Sequence, residues 1–172
     1  MSPDGDRRQT AVWTTMENKF LAILTVSNCG FHYFQVLKRG QTIDSDVCVN
    51  FLEAMFTSFT NQPQPLLKEN IRWVHDNARP HVSQRTINFL QKNNVRTLKQ
   101  PPYSPDCNLC DRYLFPRLEA LRCKKNFEKR EEIQQFLDQH MSDFSVQRIA
   151  KAIGDMMRHF ENIILNNGSY IV

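Results

Sequence analysis

Residues 71–100 alternate between short apolar runs and an amphipathic segment, and this alternation constrains the fold more than any other feature. The runs "IRWVHD" (71–76) and "VRTLKQ" (95–100) predict two strands. Between them, "HVSQRTINFLQKNN" (81–94) predicts a helix that ends at its two asparagines. A helix that connects two strands of one sheet forms a crossover, and strands joined in this way are parallel. We therefore expect a parallel strand pair in the middle of the chain.

Two further elements are predicted before this unit. Residues Phe20–Leu37 indicate a β-hairpin, because two β-rich runs flank a turn signal at residues 28–30, Asn-Cys-Gly. After Gly40 the apolar period changes to that of a helix, with Ser45 or Asp46 as its expected N-cap. The inward face of this helix is predicted to hold Val47, Phe51, Leu52, Met55 and Phe59.

Proline indicates two irregular segments. Pro63 and Pro65 predict a loop before the first of the parallel strands. The stretch "PPYSPDCNLC" (101–110) holds three prolines, which lack an amide hydrogen, so we expect no regular hydrogen bonding there.

The last part of the chain predicts helices. One is expected to begin at about Asn108 or Cys110, and two more cover Glu131–Met141 and Val146–Leu165. A hairpin, a crossover unit and these helices together predict an α/β fold with a mixed sheet flanked by helices. The inward residues of the last helix are predicted to be Ile149, Ile153, Met156, Phe160 and Ile163.

The composition excludes several classes of protein. A chain of 172 residues with 41% hydrophobic residues fits one folded domain. It holds no apolar run of about 18 residues, and "MSPDGDRRQT" has no apolar signal core, so neither a membrane span nor a secretory signal is expected. Five cysteines are too few for a disulfide scaffold and favour a reducing, intracellular setting. The net charge of +4 permits an anionic partner such as DNA or RNA.

Asp76 is the first candidate for a functional residue, because it ends a predicted strand just before a helix. One interpretation makes it the N-cap of that helix. Another makes it a metal ligand, since a charge at this position requires solvent, a partner or a cation. Asp111 begins a later predicted helix, and two such carboxylates can converge on one hard cation such as Mg²⁺.

The sequence resembles the mariner family of DNA transposases at these positions. The motifs are "HDNARPH" (75–81) and "PPYSPDCNLCDRYLF" (101–115), with 34 residues (77–110) between the two aspartates. The resemblance continues in "VLKRGQTIDSDVCVNFLEAM", "PRLEALRCKKNFEKREEIQQFL" and "HFENIILNNGSYIV". It implies a ribonuclease H-like fold of the DDE/D class, with the catalytic core at residues 1–125 and a C-terminal helical extension of the same domain at 126–172.

The resemblance also implies roles for individual residues. Asp76 and Asp111 match the second and third catalytic aspartates, which bind two Mg²⁺ (or Mn²⁺) ions for phosphodiester cleavage and strand transfer. Asn77 is expected to be a supporting donor that fixes Asp76. Arg79 and Lys99 adjoin the strand ends and are expected to contact DNA phosphates. The implied partners are transposon ends and target DNA, and the implied location is the nucleus.

Parts of the family pattern are not matched. The first catalytic aspartate would lie several residues before Met1, and Asp4 and Asp6 fall after it in the family register, so the sheet is expected to lack its first strand. Weak or absent DNA cleavage is therefore expected, and a nucleic-acid-binding remnant without catalysis is the alternative. The family's N-terminal helix-turn-helix region is not matched either. Only six residues separate Trp13 from Phe20, where the family has a long insertion used between subunits, and this places a homodimer in doubt.

Other interpretations remain open at this point. Cys107 and Cys110 have the spacing of half a zinc site, with Cys123 and His140 as conceivable further ligands, although burial of the thiols is the favoured reading. His75 and His81 are expected to line the site or to serve the structure. The remaining aromatic residues near the site, Trp73 and Tyr103, are expected to be packing residues.

Overall fold

The computed structural model describes residues 20–30, 32–61, 71–123 and 125–168. Within these residues the chain forms four strands, five α-helices, a 3₁₀ turn and a π-helical segment. Their order is β1 (Ala22–Val26), β2 (His32–Val36), α1 (Ser45–Thr60), β3 (Arg72–Val74), α2 (Gln84–Lys92), β4 (Arg96–Leu98), the 3₁₀ turn (Pro105–Cys107), the π-helical segment (Cys110–Leu114), α3 (Phe115–Arg122), α4 (Arg130–Met141) and α5 (Val146–Leu165).

The predicted hairpin is confirmed. Strands β1 and β2 are antiparallel and pair Ala22 with Val36 at one end and Val26 with His32 at the other. Gly30 closes the turn with a φ of +85°, a conformation that glycine adopts without a steric penalty. Side chains alternate between the two faces of the hairpin, so each face packs against a different set of helices.

Helix α1 begins one or two residues earlier than predicted. Asp44 is its N-cap, and its Oδ1 accepts hydrogen bonds from the amides of Asp46 (3.0 Å) and Val47 (2.8 Å). The expected caps, Ser45 and Asp46, are therefore wrong, because the extended backbone falls at Asp44. Val47 lies in the first turn, at the edge of the apolar stripe, and is only half-buried. The buried residues of α1 are Cys48, Phe51, Leu52, Met55, Phe56 and Phe59.

The crossover unit is confirmed as predicted. Strands β3 and β4 are parallel, and Arg72 lies beside Arg96 at the start of the pair. Ser83 caps α2, its Oγ accepting a hydrogen bond from the Thr86 amide at 3.2 Å. The helix ends at Asn93, and Asn94 then turns the chain with a φ of +56°. The carboxyl ends of both strands consequently point in the same direction.

The four described strands pair as two separate two-stranded sheets. Helix α1 joins them, because its apolar face packs against residues of both pairs. Ile23 and Tyr33 of the hairpin, together with Ile71 and Trp73 of the crossover unit, contact this one cluster. A common helix thus holds the two sheets side by side. The predicted absence of a first strand concerns residues before Phe20, which lie outside the described part of the chain.

A second cluster covers the opposite face of the hairpin. Leu114 and Leu118 are fully buried in it, as is Met141 of α4. Helices therefore cover both faces of the hairpin, which gives the α/β layering predicted from the sequence. Burial of fully enclosed aliphatic side chains of this kind contributes about 1.5–3 kcal/mol each.

The predicted inward face of α5 is right only for its first half. Ile149 is buried and Ile153 packs partly against the cluster. The later predicted positions, Met156, Phe160 and Ile163, are only half-buried. The reason is that a 20-residue helix extends beyond the cluster that it packs against.

Several expectations fall outside the described residues. These are the loop at Pro63 and Pro65, the short segment between Trp13 and Phe20, and the acidic residues Asp4 and Asp6. The division at residue 125 stays a prediction, although α4 and α5 pack in the same cluster as the hairpin. Among the described helices, none has the length and apolar character needed to span a bilayer.

We expect Gly30→Ala to destabilise the fold more than Gly40→Ala. Both glycines have positive φ, +85° and +74°, which costs a residue with a side chain about 1 kcal/mol. A Cβ at Gly30 would also lie 2.7 Å from Cγ2 of Val146, whereas a Cβ at Gly40 would contact nothing within 4 Å. We expect losses in the free energy of unfolding of about 2–4 and about 1 kcal/mol, measured by urea denaturation. Equal losses would show that the contact with Val146 is unimportant.

Candidate metal centre

Asp76 lies two residues beyond the end of β3. Its Oδ1 accepts a hydrogen bond from the Ala78 amide at 3.1 Å, and its side chain is 33% exposed. The interpretation of Asp76 as a helix N-cap is wrong, because Ser83 caps α2. The carboxylate therefore lies in a local turn at the carboxyl end of a parallel strand, where α/β folds present functional groups.

Asp111 lies in the π-helical segment, close to the predicted start of a helix. Asn108, two residues before Cys110, fixes the start of this segment: its Oδ1 accepts from the Cys110 amide and its carbonyl accepts from the Arg112 amide, both at 2.9 Å. Segments of π-helix are rare and occur frequently at functional sites. Leu114, which is completely buried, anchors the segment in the core and leaves Asp111 at its surface, half-buried.

The two carboxylates interact electrostatically. Burial, followed by the negative charge of Asp76, raises the pKa of Asp111 to about 6. The structure thus places near each other two aspartates that have 34 residues between them in the sequence. Among the described residues, no group of three or more His, Cys, Asp and Glu side chains converges on one point. A repelling pair of half-buried carboxylates is a group that a cation would stabilise.

A loop of residues 100–108 connects the two sides of this centre. Asn77 donates from Nδ2 to the carbonyl oxygen of Gln100 at 3.0 Å, and Gln100 donates from Nε2 to the carbonyl oxygen of Ser104 at 2.7 Å. The expected bond from Asn77 to the Asp76 carboxylate is not among the hydrogen bonds of the described residues. Asn77 instead fixes the backbone after β4 relative to the backbone after β3.

His81 is the side chain that faces Asp76 most directly. Its Nε2 lies 3.7 Å from Asp76 Oδ1, and its Nδ1 lies 3.4 Å from Sγ of Cys48. The ring stacks on His75 with the centroids 5.3 Å apart. Burial lowers the pKa of His81, the charge of Asp76 opposes this shift and His75 adds to it. Both histidines thus line the site, as predicted, and a neutral His81 is favoured.

Cys48 was not recognised from the sequence as part of this centre. It lies on the buried face of α1, where a small apolar residue is the ordinary expectation. Burial raises the pKa of its thiol, so Cys48 is protonated at neutral pH and is no nucleophile. The only signal for its position is the helical register that places it one turn before Leu52.

The two basic residues predicted to contact DNA, Arg79 and Lys99, are both exposed. Each follows one of the parallel strands, so both lie on the side of the fold where Asp76 is found. Tyr103 is 85% exposed with a φ of +56°, so the prediction that it is a packing residue is wrong. Tyr103 directly follows Pro102, and Pro101 and Pro105 lie two residues away on either side of it. Trp73 does pack against α1, as predicted.

The zinc interpretation finds no support in the described part of the chain. Cys107, Cys110, Cys123 and His140 do not form a metal-binding group there. Burial, and then the charges of Asp111 and Asp76, raise the pKa of Cys110 to about 12. A zinc ligand requires the thiolate, and this environment favours the thiol.

Comparison with known families shows which family this chain belongs to. Residues 1–146 match the family described as DDE superfamily endonuclease. This match covers well over half of the 172 residues, and the chain belongs to that family. The resemblance to mariner transposases that the motifs indicate is confirmed.

Two curated relatives align along nearly the whole chain. The histone-lysine N-methyltransferase SETMAR of Homo sapiens is 26% identical over 189 residues, covering 96% of this chain and 26% of the relative. The mariner Mos1 transposase of Drosophila mauritiana is 23% identical over 172 residues, covering 96% of this chain and 50% of the relative. The chain thus spans about a quarter of the length of the first relative and about half of the length of the second.

Solved structures confirm the predicted ribonuclease H-like fold class. The Mos1 transposase catalytic domain with raltegravir and Mg superposes with a TM-score of 0.84 at 20% identity, over 94% of this chain and 81% of that one. The Mos1 mariner paired-end complex with Mn superposes with a TM-score of 0.83 at 20% identity, over 100% of this chain and 52% of that one. At this level of identity the similarity establishes the fold.

We predict that Asp111 lowers the stability of the metal-free protein as the pH rises. Its pKa is 3.8 ordinarily and about 6 in the fold, so below pH 3.8 both states are protonated. Between pH 3.8 and about pH 6, Asp111 is ionised in the unfolded chain but still protonated in the native state. The free energy of unfolding therefore falls as the pH rises through this range. Asp111→Asn should therefore raise the free energy of unfolding at pH 7, by about 1 kcal/mol after allowance for solvent screening, and not at pH 3.5.

Urea denaturation at the two pH values measures this difference. Asp138→Asn, an exposed residue of α4, is the control and should change stability equally at both. A destabilised Asp111→Asn variant at pH 7 would contradict the predicted repulsion.

Proposed function

We propose that this chain is the catalytic core of a mariner-type DNA transposase, in which Asp76 and Asp111 hold divalent cations. The observation that carries the proposal is the electrostatic coupling of these two aspartates beyond the end of β3. Membership of the DDE superfamily endonuclease family supports it, since that description names an enzyme that cleaves nucleic acid internally.

The residues at the centre fit Mg²⁺ or Mn²⁺. Carboxylate oxygens are the ligands that hard cations prefer, and Mg²⁺ characteristically takes only one or two carboxylates from a protein. The neighbouring thiols are protonated and His81 tends to be neutral, so the negative charge of the centre resides on the two aspartates. Related Mos1 structures have been solved with Mg and with Mn.

In this proposal the protein supplies two negatively charged carboxylates and holds them in fixed positions. When bound between the carboxylates, divalent cations would activate the attacking oxygen and stabilise the leaving oxygen of a phosphodiester. The Ala78 amide holds Oδ1 of Asp76 in place, and Asp111 lies in the π-helical segment, close enough for the charge of Asp76 to act on it. Because both groups are held before substrate arrives, little reorganisation is needed during the reaction.

We propose that DNA lies across the exposed basic residues that follow the parallel strands. Arg79 and Lys99 can each contact a phosphate, which positions the backbone and carries no sequence information. The related Mos1 structures include a pre-cleavage transpososome and a strand transfer complex, which supports transposon and target DNA as partners. A nuclear location and the doubtful homodimer stay predictions.

Mn²⁺ binding tests the metal centre. We expect Asp76→Asn and Asp111→Asn each to weaken Mn²⁺ binding by at least about tenfold, because each removes a charged ligand. Electron paramagnetic resonance of free Mn²⁺ in a titration of the chain gives the affinity. Asp138→Asn serves as the matched control, because it removes a carboxylate on exposed α4. If all three variants bind Mn²⁺ like the parent chain, the proposed centre is wrong.

We further propose that DNA cleavage by this chain alone is weak. Among the described residues no third His, Cys, Asp or Glu side chain joins Asp76 and Asp111 in a metal-binding group. A two-metal centre with few anionic ligands loses much of its stabilisation of the transition state. Nicking of supercoiled DNA with Mn²⁺ should barely exceed that of Asp76→Asn. Robust nicking that Asp76→Asn abolishes would disprove the impairment while supporting the metal centre.

The variants Asp4→Asn and Asp6→Asn show whether either residue supplies a further carboxylate. We expect neither to change the nicking rate. Salt-dependent DNA binding without nicking and without Mn²⁺ binding would favour the alternative, a nucleic-acid-binding remnant.

A further inference from the structure

Helix α5 contacts the loop beside the metal centre at a histidine–aspartate pair. Nε2 of His159 lies 2.7 Å from Oδ2 of Asp106, and the two side chains are only 24% and 22% exposed. The pair joins positions 53 residues apart, so it depends on tertiary packing and not on local sequence. His159 also lies beyond residues 1–146, which match the family model, so the match does not explain the pair.

Asp106 is placed to influence Asp111. It occupies the 3₁₀ turn, which is followed by Asn108 at the start of the π-helical segment. Asn108 receives hydrogen bonds from the amides of Cys110 and Arg112, and these bonds define the backbone on both sides of Asp111. A shift of the 3₁₀ turn would therefore move Asp111.

The same loop is fixed to the Asp76 side of the centre. Asn77 bonds to Gln100, which in turn bonds to Ser104, at the beginning of the 3₁₀ turn. The Cys107 amide donates to the Ser104 carbonyl at 3.0 Å and closes that turn. The loop is thus attached to the strand end at one side and to His159 of α5 at the other.

We propose that His159 is a positioning residue for the metal centre. By donating a hydrogen bond to the Asp106 carboxylate, its ring holds the 3₁₀ turn and sets the position of Asp111 relative to Asp76. Hydrogen bonds to a charged acceptor are about twice as strong as neutral ones, and partial burial strengthens this one further. The inference rests on the proposed function, because it assigns His159 a role in that same centre.

Mn²⁺ affinity of the 172-residue chain tests the role. We expect His159→Ala to weaken Mn²⁺ binding by about tenfold, as losses of residues that orient ligands do. His159→Gln retains an N–H donor at similar reach and should restore the affinity to within about twofold of the parent value. Arg158→Ala, which changes an exposed neighbour on α5, should leave the affinity unchanged.

Amide hydrogen exchange provides a second measurement that needs no metal. In the metal-free chain, His159→Ala should accelerate exchange about tenfold at residues 107–112, and His159→Gln should not. Unchanged exchange there and unchanged Mn²⁺ affinity in His159→Ala would overturn the inference. So would a His159→Gln variant that is as defective as His159→Ala.

The two proposals fail in different ways. If Asp76→Asn binds Mn²⁺ normally, the proposal of a metal centre is wrong. The exchange rates at residues 107–112 still test whether His159 holds the loop. If Asp76→Asn loses Mn²⁺ binding and His159→Ala does not, only the inference about His159 is wrong. Should His159→Ala fail to fold, exchange in Asp106→Asn decides. A rate at residues 107–112 above those of His159→Gln and Arg158→Ala supports the inference, whereas equal rates in all three variants overturn it.

Discussion

The proximity of two half-buried carboxylates, Asp76 and Asp111, is the constraint on which the proposed chemistry of this structure depends. A carboxylate that is half-buried beside another resists ionisation, and the raised pKa of Asp111 expresses that resistance. The fold holds the pair together because each member is fixed by burial elsewhere: Trp73 packs under α1 before Asp76, and Leu114 is buried after Asp111. The free energy gained by burying the apolar clusters thus offsets the electrostatic cost of holding the two carboxylates near each other.

Much of the fold follows from local pattern and elementary geometry. The hairpin and the parallel crossover are confirmed because both depend on the short-range spacing of apolar residues and on how a turn or a helix connects two neighbouring strands. Predictions from the sequence are wrong where the surrounding structure determines the conformation or burial of a residue. Asp44 instead of Ser45 caps α1 because of the backbone conformation there, and the second half of α5 is half-buried because the cluster ends before the helix does.

The candidate centre was predictable in its acidic residues and not in its supporting ones. Asp76 and Asp111 could be recognised from their places at a strand end and a helix start, and the motifs added family roles. The contacts of Asn77 with Gln100 and of His159 with Asp106 could not, because each joins residues 23 or 53 positions apart that no sequence period relates. The packing prediction for Tyr103 is wrong because aromatic residues are usually packed, whereas here Tyr103 lies in an exposed turn with a positive φ.

This arrangement links the stability of the fold to the chemistry proposed for it. A carboxyl group whose pKa is raised in the native state disfavours folding at neutral pH, and in the proposed centre a divalent cation would remove that cost. Any ligand that binds the native state alone stabilises it by mass action, and binding at this centre would also relieve the repulsion between the two carboxylates. Exchange of the loop between Gln100 and Asn108 with solvent should therefore slow when the cation binds. Such slowing in the parent chain, and none in Asp111→Asn, would show that cation binding and loop order are one equilibrium.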